Sequence, residues 1–245
     1  MPRTEETVDT VENFITLVEG NFEYGYHYRG VGDADRHQLL PSIGRYLSTY
    51  SRVGKTKTDL LTDEQKAFKI FYTEGVLHEP EVGRNYWQWL ALAQHHGMAT
   101  RLLDWTYSPL VALYFAVWKP ANTDSCVYVV SKDIRFVSTK ETEDIDPFTF
   151  REVCAYLPPH MTARLRAQSG VFTIHPDSTS PLTDYVVGKI RVCREARKQI
   201  KLCLNHLGIH EKNLFPDLDG LARWVRWMKF DSLYHLSEQG IGRFR

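Results

Sequence analysis

Near the middle of the chain, Arg101, Asp104, Trp105, Thr106 and Ser108 stand close together, with Gln94, His95 and Thr100 just ahead of them. An arginine offers a rigid fork of donors to phosphate or carboxylate, an aspartate a fixed negative charge, and an indole a flat apolar face. Those types together suit an anionic ligand that carries a ring. A second reading stays open, in which Asp104 and Arg101 form a salt bridge that braces a junction between helices. Upstream, His27-Tyr28-Arg29-Gly30-Val31-Gly32 puts a glycine directly after an arginine and another two positions later. Glycines there allow a bound group to approach the backbone closely, although the run also reads as a turn.

These side chains need elements to hold them. Tyr86, Trp89, Leu90 and Ala93 recur at the spacing of one helical face, and Gly97 supplies a stop. Ser108 is a good N-cap and Pro109 a good first helical residue, so a second helix should run through residues 110–118. It is apolar on every side and should be buried. Residues 101–106 are then a short connection between two helices. The unpaired N–H groups at the start of the second helix would face an anion there.

Along the rest of the chain, residues 7–19 place Val11, Phe14, Ile15 and Val18 on one face of a surface helix that ends at Gly20. Residues 22–28 read as a strand delivering Arg29 and Gly30 at its end. Residues 39–45 read as a loop or short helix and residues 51–57 as a polar mobile segment. Thr62 and Gln65 suggest a capping box for a helix carrying Ala67, Phe68, Ile70 and Phe71. Residues 120–124 form a turn, 126–130 a buried strand, and 138–148 an exposed acidic loop. Pro158-Pro159 breaks the chain before Arg164, Arg166 and Gln168 lead into a strand over 171–175. A strand over 185–193 and a helix over 195–207, with Ile200, Cys203, Leu204 and Leu207 inward, follow. A last helix carries Leu221, Trp224, Val225 and Met228, with Asp217 and Asp219 at its N-cap region. No internal repeat interrupts this order, which gives one α+β domain over residues 1–245, with helices around a small mixed or antiparallel sheet.

Composition narrows the function classes. Of 245 residues 43% are hydrophobic, enough for a packed core, and 30 basic residues balance 30 acidic ones. Zero net charge argues against holding nucleic acid mainly by phosphate neutralisation. Cys126, Cys154, Cys193 and Cys203 have neither zinc-site nor disulfide spacing and read as reduced thiols. His95 and His96 are adjacent, so they diverge on a helix, and with His27 and Asp104 they show no metal-ligand spacing. We therefore expect no metal. The N-terminal residues lack the apolar core of a secretory leader and no apolar run could span a membrane. The expectation is a cytoplasmic protein with no membrane partner.

Tyr28-Arg29-Gly30, Leu40-Pro41-Ser42, Gln94-His95-His96-Gly97, Thr100-Arg101-Leu102-Leu103-Asp104-Trp105-Thr106, Ser108-Pro109 and Ala112-Leu113-Tyr114-Phe115-Ala116 together resemble the FRG domain, with Tyr28 in place of the Phe in its name. Matches extend to Arg164, Gln168, Gly170, Phe172 and Leu214-Phe215-Pro216-Asp217. This resemblance implies bacterial and phage-associated proteins of defence or toxin contexts. A more distant resemblance is to the Arg-Ser-Glu class of ADP-ribosyltransferases, and it implies an ADP-ribosyltransferase-like fold with NAD as substrate. By that likeness Arg29 binds a phosphate or ribose of NAD, Thr106 and Ser108 form the Ser/Thr block, and Gln168-Ser169-Gly170 forms the third block. No Glu follows Gln168, so Asp104 becomes the first candidate for the missing acid, and Trp105 for the ring that stacks on nicotinamide.

The candidate catalytic residues are accordingly Arg29, Asp104 and Gln168. His27, Tyr28, Gly30, Arg45, Gln94, His95, Thr100, Arg101, Trp105, Thr106, Ser108 and Arg166 are the candidate substrate-binding residues. Two function classes follow. One is an enzyme acting on a nucleotide, with NAD transferred to an unidentified protein or nucleic-acid acceptor or hydrolysed. The other is a nucleotide- or nucleic-acid-sensing module without turnover, in which Arg29 and Arg101 bind phosphates and Asp104 only orients Arg101. Arg29, Arg101, Asp104 and Gln168 are expected to converge on one cleft.

Overall fold

The computed structural model describes residues 4–159 and 162–231, so the first three residues, part of the segment read as lacking a secretory leader, lie outside the described residues. In chain order the elements are β1 (Thr4–Val8), α1 (Val11–Asn21), β2 (His27–Val31), α2 (Leu47–Arg52), α3 (Lys57–Gly75), α4 (Tyr86–His95), β3 (Leu102–Thr106), α5 (Pro109–Val117), β4 (Ser125–Val130), α6 (Thr139–Asp144), β5 (Cys154–Tyr156), α7 (Ala163–Ala167), β6 (Gly170–Ile174), β7 (Val186–Val192), α8 (Arg197–His206), α9 (Glu211–Leu214) and α10 (Leu218–Arg226). The strands form one sheet in the order β1-β7-β4-β2-β3-β6-β5. Only β1 and β7 run parallel, and the other neighbouring pairs are antiparallel. The architecture is α+β around a mixed sheet, as expected. With seven strands that sheet is not small.

The helix starts follow local chemistry. Thr10, Asn85, Ser108 and Asp217 each accept a backbone N–H in the first turn of the helix they begin. α3 starts a turn and a half before the box expected at Thr62, because the Asp59 carboxylate takes both the backbone N–H and the hydroxyl of Thr56. The same device, Ser138 with Glu141, folds part of the expected acidic loop into α6. Gly97 has φ 87° and closes α4 as expected. Leu207, expected inward, is exposed at the end of α8.

Three strands depart from the sequence reading. β1 takes Thr7 and Val8 from the expected first helix, the β2 strand begins at His27 rather than at Phe22, and residues 102–106 form β3 instead of a connection. The reason at β3 is pairing: every residue from Leu102 to Thr106 has a partner on β6. A run of five residues with no clear alternation gives little local signal for that.

The register fixes which side chains share a face. Ile190 lies opposite Val127, Val129 opposite Tyr28, and Tyr28 opposite Thr106. Asp104 lies opposite Phe172, and Leu102 opposite Ile174. All of these point to one side of the sheet. There they meet two helical layers: α1, α5 and α8 over β1, β7, β4 and β2, and α3 with α4 over β3, β6 and β5. The opposite face, with Leu103, Trp105, Val130 and Val171, is covered by Leu39, Ile134 and Leu182. A seam between the two layers therefore runs above the junction of β2 and β3.

Gly30 sets how close α5 comes. A Cβ on Gly30 would stand 1.8 Å from the Ala112 carbonyl oxygen and 2.5 Å from the Ala116 nitrogen. Both are helix backbone, which cannot rotate away. The group that approaches Gly30 is thus α5 itself, and not a ligand. Gly30→Ala should force the helix off the sheet and cost at least about 3 kcal/mol, the upper end for overpacking. Urea unfolding checks it, and a loss under about 1 kcal/mol would mean the contact relaxes freely.

Candidate functional site

β2 and β3 are paired at Tyr28 opposite Thr106 alone. Beyond that pair, where a continuing ladder would supply a backbone donor to Asp104, the Arg29 side chain does so: its Nη1 donates to the Asp104 carbonyl oxygen at 2.6 Å. The same nitrogen lies 3.4 Å from Asp104 Oδ2. Arg29 is 18% exposed along its side chain and Asp104 54%. Burial and the neighbouring Arg45 lower the Arg29 pKa, and Asp104 opposes that.

A second donor meets the same carboxylate oxygen. Gln94 Nε2 donates to Asp104 Oδ2 at 3.0 Å. Its orientation is set from behind, since buried Thr100 donates its hydroxyl to Gln94 Oε1 at 2.6 Å. With its oxygen so engaged, the Gln94 amide presents its NH₂ to Asp104. Thr100 is held in turn by Ser42, whose hydroxyl accepts the Thr100 N–H at 2.9 Å. Asp104 Oδ1 makes no hydrogen bond among the described residues and is open to the seam.

A cleft of about 90 Å³ lies there, between α4, β3, β6 and α7. Asp104, Gln94, His95, Arg164 and Gln168 form most of its polar part, and Leu92, Pro158, Leu165 and Phe172 much of its apolar part. Burial lowers the His95 pKa, and His96 and Arg164 add to that. His95 Nδ1 is 3.4 Å from the Thr162 hydroxyl. Gln168 reaches the cleft wall, but its Nε2 donates to the Leu214 carbonyl. Ser169, at φ 47°, makes the left-handed turn between Gln168 and β6. Thr106 takes the other side of that corner, donating its hydroxyl to the Gln168 carbonyl at 2.6 Å and accepting the Ser108 N–H. Two residues beyond Gln168, a Cβ on Gly170 would meet Leu165 Cδ1 at 2.3 Å, so the space of a third-block side chain is filled by Leu165.

Asp104 and Gln168 line the cleft and Arg29 touches Asp104 beside it, whereas Arg101 does not join them. Arg101 is 3% exposed, pairs with buried Glu64 through Nη2 at 2.7 Å and Nε at 3.3 Å, and lies over the Phe148 ring. It neither braces nor is oriented by Asp104, because its guanidinium is taken up by the Glu64 carboxylate on α3 and the Phe148 carbonyl. Burial raises the Glu64 pKa, and Arg101 opposes it.

Other candidates are buried or distant. Trp105 is 3% exposed, and its Nε1 donates to Thr173, so neither ring face is open to stack on a ligand. Tyr28 lies in the core under α5, and Ser108 caps α5. Arg45 is exposed and donates to the Leu40 carbonyl. Arg166 is exposed. His27 is buried against Tyr107 and Phe136, neither ring nitrogen has a hydrogen-bond partner among the described residues, and burial lowers its pKa to about 4. Among the described residues no group of His, Cys, Asp or Glu is arranged to hold a metal ion, and no helix is long and apolar enough to cross a membrane. The charged cleft residue that the candidate list missed is Arg164. It stands four before Gln168 on the same helical face, a spacing that could have selected it over Arg166.

Two changes report on these burials. His27 holds fewer protons folded than unfolded between pH 6.5 and 4, so its contribution is full above pH 6.5 and is lost as pH falls to about 4. The loss is of order 3 kcal/mol. His27→Phe should flatten that part of the stability curve measured by urea unfolding, and an unchanged slope would place the imidazole in contact with solvent. Arg101→Gln, which leaves Glu64 buried without its partner, should cost about 3 to 5 kcal/mol in the same assay.

Compared with known proteins, the chain matches one family model, and the match covers residues 24–125, from just before β2 to the first residue of β4. It includes Arg29, Gln94, His95 and Asp104, whereas Arg164 and Gln168 fall beyond it. No curated protein and no solved structure was found to match the chain. The matching model is that of the FRG domain, to which residues 24–125 are similar.

Proposed function

We propose that the seam is a nucleotide site and that the chain acts on NAD, by ADP-ribosyl transfer or by glycohydrolysis. One observation carries this reading: Arg29, Thr106 and Gln168, the three separated blocks of the likeness to the Arg-Ser-Glu class, come together on or beside the adjacent strands β2, β3 and β6. The apolar wall of Leu92, Pro158 and Phe172 suits a nicotinamide ring in place of Trp105.

In the reaction the bond between nicotinamide nitrogen and ribose C1′ breaks, nicotinamide leaves neutral with the electron pair, and water or an acceptor nucleophile adds at C1′ and gives its proton to solvent. Positive charge grows on the ribose in the transition state. Asp104 Oδ1 is the carboxylate oxygen left free to face it, while Arg29 and Gln94 hold Oδ2 and so fix the group's orientation. Preorganised charge of this kind acts more on the transition state than on bound substrate. The FRG resemblance supports a toxin or phage-defence setting, with a protein or nucleic acid as acceptor and the cytoplasm as its place.

The second reading is a nucleotide sensor without turnover. It is favoured by the two donors on Asp104, which would equally suit a carboxylate that only orders Arg29. Nicotinamide release and NAD affinity, measured on the wild type and on Asp104→Asn, separate the two. The enzyme reading expects release by the wild type, a fall of at least about a hundredfold in the variant, and little change in affinity. Binding without release in the wild type would leave the sensor, and neither binding nor release would overturn NAD as the ligand.

A further inference from the structure

The cleft contains one cation whose hydrogen-bonding edge is uncommitted. Arg164 is half-buried on α7, and its guanidinium lies 4.5 Å over the Phe215 ring. Among the described residues it makes no hydrogen bond or ion pair. A ring contact supplies no hydrogen-bond acceptor in the plane of the guanidinium, so its N–H donors are not committed to a protein oxygen. The same ring carries a second arginine, Arg223, at 5.0 Å, and there the contrast is clear: Arg223 Nε is 3.4 Å from Glu211 Oε1, so its charge is answered within the protein.

The segment that presents Arg164 is itself well fixed. Phe215 is buried and stacks on Trp118 at 5.5 Å, Trp118 Nε1 donates to Glu211, and Gln168 donates to the Leu214 carbonyl beside the ring. Arg164 therefore has a rigid platform and a wall position in the cleft, with its charge facing Asp104, Asp217, His95 and Arg223. Burial weakens its protonated form, and that cost falls if a ligand brings negative charge.

We propose that Arg164 is the anion-binding residue of the cleft and takes the diphosphate of a nucleotide, held edge-on by its fork of donors. The proposal rests on the nucleotide reading above and names the group that holds the ligand's charge, a role the sequence resemblance gave to Arg29. It places the two arginines in different duties: Arg29 is committed to the Asp104 carbonyl, while Arg164 is free to bind.

Inorganic pyrophosphate is the probe, titrated calorimetrically into the full chain at low salt, where charge contacts are least screened. Arg164→Gln should weaken binding at least about tenfold, the scale of one lost charge-assisted contact. Asp104→Asn should tighten it, because a neighbouring negative charge is removed. Arg164→Lys, which keeps the charge without the fork, should fall between wild type and Arg164→Gln and guards against loss of packing on Phe215. No pyrophosphate binding by the wild type, or equal binding by wild type and a folded Arg164→Gln, overturns the proposal. The two readings fail separately. Arg164-dependent pyrophosphate binding without nicotinamide release sinks only the NAD reaction, and nicotinamide release with pyrophosphate binding indifferent to Arg164 sinks only this assignment.

Discussion

The structure depends on the contact of a helix backbone with a strand backbone. Gly30 lets α5 lie directly on β2, so the helix carries its fully apolar surface into the middle of the sheet rather than above a layer of side chains. Leu113, Tyr114 and Ala116 are buried there, and removing such side chains from a packed core costs about 2 to 5 kcal/mol each for the larger ones. That position determines where α5 begins. Its N-cap, Ser108, is held by Thr106, and Thr106 is held to the Gln168 corner, so the strand end, the helix start and the third sequence block form one rigid junction.

The seam beside that junction is polar because the sheet is interrupted there. Where β2 stops pairing with β3, a backbone carbonyl needs a donor, and Arg29 provides it. The same side chain brings charge to Asp104, and Gln94, fixed by Thr100 and Ser42, completes the hold on one carboxylate oxygen. A buried hydroxyl thus sets the aim of an amide, and the amide sets the aim of a half-exposed carboxylate. Such supporting shells keep a site group near one geometry without spending its free oxygen.

Arginines do several different jobs in this chain. Arg101 answers Glu64 in the interior, and Arg197 donates to the carbonyls of Gly32, Thr123 and Lys119, tying α8 to the loop after α5. Arg29 repairs a gap in the sheet, and Arg164 rests on Phe215 with its donors free. Residue type alone marks all four as possible phosphate binders. Only their partners tell them apart.

The sequence by itself determined what neighbours along the chain can settle. The Ser108-Pro109 start of α5, the burial of most of its residues, the Gly97 stop, the Asp217 cap and the strands over residues 126–130, 171–175 and 185–193 follow from capping chemistry and apolar patterning over a few residues. The residues that carry the resemblance to the FRG model over 24–125 were likewise legible, because they too are read from short runs of neighbours. Tertiary structure decided what depends on residues far away in sequence. It made residues 102–106 a strand, because β6 pairs with it from some seventy positions on, and it buried Trp105 and Arg101 on sides that a connection would not have specified. It assigned Gly30 to helix packing and selected Arg164 over Arg166. Side-chain direction in a sheet alternates with register, and register is set by the partner strand.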